Sequence, residues 1–148
     1  MEFKKEVASN LNQLLEKTYD AEKGYKEAAS NVKNAKMKNF LEEQAKQRYD
    51  FGHKIKEEIK AFDEKPDKGG SATGSLHRTW MDVKTAVSGN ENETVMEEVQ
   101  RGEKAAIEDY DDILADKDLP PSTKSLLQEQ RQKIEQAYQS AKNWEVIS

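Results

Sequence analysis

The sequence predicts an all-α fold: four long helices in two antiparallel hairpins, joined by a long crossover that carries a short helix. Apolar residues recur at alternating steps of three and four, which is the spacing of helices packed lengthwise on one another. Gly and Pro are rare, with seven and three in 148 residues, while charged residues reach 36%. This composition is typical of long helices with solvated outer faces. The length suits a single domain over residues 1–148.

The first two predicted helices form one hairpin. Their apolar seams run over residues 7–32 and 37–62 in steps of three and four, and only the second seam has a gap, before its last member. Only about two to five residues around position 33 connect the seams, and so short a connection favours antiparallel neighbours. We therefore expect these helices to pack side by side along their length.

A long crossover follows the first hairpin. The stretch DEKPDKGGSATGS at 63–75 has the Gly, Pro and small polar residues of a loop. A straight helix over 75–115 would be about 60 Å long, against about 40 Å for each of the first two helices. We therefore assign 63–93 to the crossover and place a short helix in it, marked by the apolar residues Leu76, Trp80, Val83 and Val87.

The second hairpin is predicted to begin at Thr94, which forms a capping box with Glu97 three residues later. The third long helix ends before DKDLPPS at 116–122, and the fourth follows. The seam of the third helix consists of Val99, Glu103, Ala106, Tyr110 and Ile113. The seam of the fourth consists of Leu127, Gln130, Ile134, Ala137, Ala141 and Trp144.

Polar residues interrupt the seams at matching places. Glu22 and Gln44 are equidistant from residue 33, so an antiparallel hairpin puts them at one level. Glu103 and Gln130 are placed similarly about the second turn, and LEEQ at 41–44 resembles LQEQ at 127–130. We interpret this pattern as a weak internal duplication that brings two Glu and two Gln toward one axis.

A buried carboxylate must be paired or protonated, because an unpaired buried charge is costly. The favoured hypothesis is a structural hydrogen-bonded layer of Glu22, Gln44, Glu103 and Gln130, to which Arg48 or a seam tyrosine contributes. One alternative is a weak or nonstandard metal site at Glu22 and Glu103. The other is partial exposure of these side chains to solvent.

Composition excludes several classes of function. The formal charge of -5, with Lys and Arg interleaved among acidic residues, argues against a nucleic-acid partner. The absence of Cys excludes thiolate metal sites and cysteine nucleophiles. The apolar runs are too short for a membrane span and the start lacks a signal-peptide core, so we expect a cytoplasmic protein. Catalytic signatures are also lacking.

Five segments, in this order, resemble a bacterial ferritin-like family that is a domain of unknown function. They are YDAEKGYKEAA, FLEEQAKQRYDF, GSLHRTWMDVKTAVSG, VQRGEKAAIEDYDDIL and LPPSTKSLLQEQRQKIEQAY. The resemblance covers nearly the whole chain and implies a ferritin-like four-helix bundle. It implies no activity, because the family has none assigned.

The wider ferritin-like group holds two metal ions with a single Glu on each of two helices and a Glu-x-x-His on each of the other two. Glu22 and Glu103 match the single-Glu positions. The other positions depart from the pattern, because Gln44 is followed three residues later by Gln47 and Gln130 by Lys133. The sequence has no Glu-x-x-His, so a standard di-iron centre is not expected.

Two hypotheses of function follow. The favoured one is a noncatalytic cytoplasmic bundle that acts through its surfaces or by self-association, with no cofactor and with a homodimer as the expected oligomer. A stress-related role is one option within it, and the protein partner is not specified. The alternative is a ferritin-like protein that oxidises or sequesters iron or another divalent metal at Glu22 and Glu103.

Overall fold

The computed structural model describes residues 2–66 and 91–144, and the regular elements in these ranges are four helices. They are α1 (Glu2–Asn31), α2 (Ala35–Ala61), α3 (Glu91–Leu114) and α4 (Pro121–Lys142). α1 packs along α2 and α3 along α4, while α1 also contacts α3 and α2 contacts α4. The predicted all-α bundle of two hairpins is confirmed. The short helix predicted at 76–87 lies outside the described residues.

The turn of the first hairpin is as short as the sequence predicted. Residues 32–34 separate α1 from α2. Asn34 is the N-cap of α2, and its side-chain oxygen accepts a hydrogen bond from the Met37 amide at 3.0 Å. Asn is among the preferred residues at this position because it satisfies an amide that has no partner within the helix. This cap starts α2 immediately after the turn.

The second residue after the end of α2 at Ala61 has a left-handed backbone conformation. Asp63 has φ 60°, and its amide donates to the Lys60 carbonyl at 2.9 Å. Asp tolerates this conformation better than most residues. The hairpin therefore ends where the sequence placed the start of the loop.

The second hairpin differs from the prediction at one end. Residues 91–93 are already helical, so Thr94 lies within α3 and is not its N-cap. The two Glu residues in this stretch have good helix propensity, which favours the longer helix. α4 begins with Pro121 at its first position, where the missing amide hydrogen has no helical acceptor to lose.

Two apolar clusters fill the described core. One lies near the turn of the first hairpin and includes Tyr25, Met37 and Leu41, and the other lies toward the opposite end and includes Leu11, Phe51 and Ile55. Along α1, α2 and α3, buried polar residues lie between the two clusters: Thr18, Arg48 and Glu103 respectively. The fold therefore places a polar layer inside the bundle.

The described helices carry many charges, and none has an apolar stretch long enough to span a bilayer.

Candidate functional site

The centre of the polar layer is an ion pair between Arg48 on α2 and Glu103 on α3. Arg48 Nη1 donates to Glu103 Oε2 at 3.0 Å, and Nη2 donates to Oε1. The side chains are 2% and 0% exposed. The contact is therefore a bidentate, fully buried pair of opposite charges, which is the strongest geometry available to these two groups.

Aromatic rings enclose the Arg48 guanidinium. Its Cζ lies 5.8 Å from the ring centroids of both Tyr25 and Phe51, within the range of cation–π attraction. Burial is the largest single influence on Arg48 and lowers its pKa. The charge and hydrogen bonds of Glu103 and the nearby Tyr25 and Tyr110 together outweigh burial, so the pKa of the guanidinium is raised. Arg48 is therefore a permanent cation in the bundle interior.

A second polar connection lies beside the ion pair. The Tyr110 hydroxyl donates to Gln130 Oε1 at 2.6 Å, and Gln130 Nε2 donates to the Phe51 carbonyl at 3.4 Å. These contacts join α3, α4 and α2. Burial raises the pKa of Tyr110 even though the charge of Arg48 acts in the opposite direction, and burial together with Glu103 raises the pKa of Tyr25. Both tyrosines are neutral hydrogen-bonding groups over the physiological pH range.

Glu22 lies away from this layer, which differs from the sequence expectation. Its Oε2 accepts from Lys26 Nζ at 2.8 Å, and its side chain remains 17% exposed. Ala21 and Tyr25 take the inward positions of α1 at this level. Because adjacent helical residues are rotated by about 100°, Glu22 falls at the margin of the buried stripe.

The two predicted Glu–Gln pairs are not present. Gln44 is partly buried, and its Oε1 accepts no hydrogen bond from the described residues. Gln130 bonds to Tyr110 and Phe51, whereas Glu103 bonds to Arg48. Three of the five residues proposed for the layer are thus buried together in the interior: Arg48, Glu103 and Gln130.

A di-metal centre at Glu22 and Glu103 does not fit these contacts. Both Glu103 oxygens receive hydrogen bonds from Arg48, while Glu22 is paired with Lys26. A metal ion beside Glu103 would be repelled by the guanidinium, and the low internal dielectric strengthens that repulsion. Within residues 5–66 and 93–144, no three His, Cys, Asp or Glu side chains are grouped as ligands.

A surface groove lies between α1 and α2, on the side to which Glu22 points. Its volume is about 430 Å³. α1 contributes Glu22, Lys26, Ala29 and Ser30, and α2 contributes Lys38, Glu42, Ala45, Lys46 and Tyr49. The groove thus combines small apolar residues, one aromatic ring and charges of both signs. Sequence reasoning missed it, although the small residues Ala29 and Ala45 on neighbouring helices were a visible signal.

Comparisons with known proteins agree with this architecture. Residues 6–116 match the domain of unknown function DUF2383. No curated protein matches the chain significantly.

Solved structures of Dps proteins share the fold. Mycobacterium smegmatis Dps in its tetragonal form is 18% identical with a TM-score of 0.80, over 93% of this chain and 85% of that one. Dps92 from Deinococcus radiodurans is 17% identical with a TM-score of 0.83, over 97% and 88%. Identities this low support similarity of fold only. Because the family match covers most of the sequence, the chain belongs to the DUF2383 family, and its fold is a ferritin-like four-helix bundle.

Proposed function

We propose that this protein is a noncatalytic, metal-independent helical bundle that acts through its outer surface. The observation that carries the proposal is the Arg48–Glu103 pair. In a metal-binding bundle, inward carboxylates are balanced by bound cations. Here the guanidinium supplies the balancing charge from within the chain.

The internal ion pair accounts for a Glu at this position without a metal. A buried carboxylate needs a counter-charge and hydrogen-bond donors. Arg48 provides both, since it donates to each oxygen of Glu103. Metal binding would require the Arg48 guanidinium to move away from Glu103. The buried positive charge of Arg48 would then lack a counter-charge, which is unfavourable. The role of the layer in this proposal is to hold the bundle together.

Among the described residues, the proposal places function on the outer surface. The groove between α1 and α2 is open, amphipathic and lined by nine side chains. Its volume lies within the range typical of binding sites, and its mixed charges suit a protein partner better than a polyanion. The proposal therefore assigns recognition to the α1/α2 face.

Metal dependence tests the first half of the proposal. Protein purified without an affinity tag is analysed for bound metals, and its melting temperature is measured with and without Fe²⁺, Mn²⁺ or Zn²⁺. We expect substoichiometric metal and an unchanged melting temperature, because only a ligand that binds the folded state raises it.

Glu22→Gln and Glu103→Gln serve as matched variants in this experiment. Each retains side-chain size and removes one carboxylate that a shared site would need. A metal-induced rise in melting temperature that disappears in both variants would overturn the proposal. It would instead support the alternative of iron or another divalent metal bound by Glu22 and Glu103.

A further inference from the structure

The α1/α2 groove presents an aromatic side chain to solvent. Tyr49 is 50% exposed, and it is the one large hydrophobic residue with such exposure among residues 5–66 and 93–144. Ala45, one helical turn before Tyr49, also lines the groove, and Ala29 of α1 lines it farther toward the turn. Tyrosine is enriched at protein contact surfaces, because its ring supplies apolar area and its hydroxyl tolerates water.

The charges along the two edges of the groove are complementary. Toward the turn, α1 presents Glu22 and then Lys26, whereas α2 presents Lys46 and then Glu42. In an antiparallel hairpin, residues equally far from residue 33 lie at one level. Glu22 is thus nearly level with Lys46, and Lys26 with Glu42, each pair being offset by about 3 Å.

Two of these charges have no ion-pair partner within the described residues. The salt bridge of Glu22 is made with Lys26 on the same helix. Glu42 and Lys46 form none there, and they have opposite signs. The α2 edge therefore offers one acidic and one basic side chain to an incoming surface.

A second copy of the chain has a matching surface. If the two-fold axis runs along the groove, α1 of one copy lies over α2 of the other at the same level. Glu22 then meets Lys46 of the second copy, Lys26 meets Glu42 of the second copy, and the symmetry produces each contact twice. The acidic and basic residues of one copy's groove therefore face residues of opposite charge in the groove of the second copy.

The face is large enough for such an interface. Two neighbouring helices of this length present an area about 40 Å long and about 20 Å wide. This gives roughly 800 Å² per copy, which is what each partner contributes to an interface of standard size.

We infer that the α1/α2 groove binds a second copy of this chain, face to face about a two-fold axis that runs along the groove. The inference rests on the proposed function, because it assigns a partner to the same outer surface. It assigns the specificity of association to Glu22, Lys26, Glu42 and Lys46, and the apolar contact to Tyr49.

Charge reversal tests the arrangement. Molar mass is measured by light scattering over a dilution series for the original protein, Glu22→Lys and Lys46→Glu, and for an equimolar mixture of the two variants. We expect the original protein to associate to at least twice the chain mass of 16.9 kDa. Each variant alone should dissociate, because both symmetric contacts become repulsive.

The mixture is the decisive sample. One variant then contributes Lys at both positions and the other contributes Glu at both, so all Glu22–Lys46 contacts between unlike copies are attractive again. We expect the mixture to recover the association of the original protein. Glu108→Lys and Lys124→Glu make the same charge changes on the second hairpin and should leave the mass unchanged.

A monomeric original protein throughout the dilution series would overturn the inference, as would folded single variants that associate normally or a mixture that stays monomeric. Circular dichroism establishes that each variant is folded. Failure here leaves the metal-independence of the protein unaffected. Conversely, metal-induced stabilisation lost with either carboxylate would overturn the proposed function even if the charge-reversed mixture associates.

Discussion

Arg48 and Glu103 form a bidentate ion pair that connects α2 to α3, and therefore the first hairpin to the second. The two residues are 55 positions apart in the sequence, and both side chains are buried. Contacts within each hairpin can form without the other hairpin. This contact cannot, so it reports on the docking of the two halves.

The first prediction is a double-mutant test of this pair. Arg48→Met or Glu103→Leu alone should lower the free energy of unfolding by about 3–5 kcal/mol, because either change leaves an unpaired buried charge. The double variant should be close to the original protein, since both charges are gone and the apolar replacements can pack.

Urea unfolding of the four proteins measures the coupling between the two residues. The structural role of the pair would be contradicted if the single variants were as stable as the original protein. It would also be contradicted if their effects simply added in the double variant.

The second prediction concerns the Tyr110 hydroxyl. Tyr110→Phe removes the donor that bonds to Gln130 Oε1 at 2.6 Å and leaves that buried amide oxygen without it. The expected loss is about 1–3 kcal/mol in the free energy of unfolding. Tyr138→Phe is the matched control, because the Tyr138 ring contacts Lys142 at a less buried position of α4, and it should change stability by less than about 0.5 kcal/mol. Equal effects of the two substitutions in thermal or urea unfolding would contradict the prediction.

The third prediction is a loss of stability at alkaline pH. Burial raises the pKa of both Tyr25 and Tyr110 in the folded protein, while in the unfolded chain tyrosine has a pKa of about 10. Above that pH the unfolded chain releases protons that the folded protein retains. The free energy of unfolding therefore falls as pH rises, by up to about 1.4 kcal/mol per pH unit for each tyrosine.

Unfolding measured from about pH 8 to about pH 11 tests this dependence. Tyr25→Phe and Tyr110→Phe should each reduce the slope above about pH 10. A slope that is the same in the original protein and in both variants would assign the alkaline transition to other groups.

The sequence predicted the longitudinal positions of residues better than their directions. The position of a residue along a hairpin depends on how many residues separate it from the turn. The seams and the short connections therefore predicted the hairpins and which residues lie opposite one another along them. Which side of a helix is most buried depends on its neighbours. At the level of Glu22, α1 turns Ala21 and Tyr25 inward, and a stripe wide enough to include Glu22 did not distinguish its centre from its margin.

The partner of Glu103 could not be obtained from counting within a hairpin. Gln130 was the nearest polar residue on the same hairpin, but Arg48 reaches Glu103 from the other one. That contact depends on how the two hairpins dock, and the crossover between them is too long to fix their relative position. Arg48 was named as a contributor because it lies on a seam, which was the available signal. Its pairing required the three-dimensional arrangement.

The fourth prediction concerns the end of the bundle, where Glu58 of α2 meets the first turn of α4. Glu58 Oε1 accepts from Ser122 Oγ at 2.8 Å and from Thr123 Oγ1 at 2.6 Å. A carboxylate near a helix N-terminus is also favoured by the helix dipole. α4 has no side-chain cap of its own, so Glu58 supplies from another helix the negative charge that a capping residue often provides.

Thr123→Val retains the shape of a fully buried side chain and removes only its hydroxyl. We expect a loss of about 1 kcal/mol in the free energy of unfolding. Ser122→Ala should cost less, because that hydroxyl is exposed and water can replace it. In a Glu58→Gln background, which removes the charge, the effect of Thr123→Val should shrink because a charged acceptor makes the stronger hydrogen bond. Thr123→Val with the same effect in both backgrounds, measured by urea unfolding, would show that the hydroxyl acts independently of the Glu58 charge.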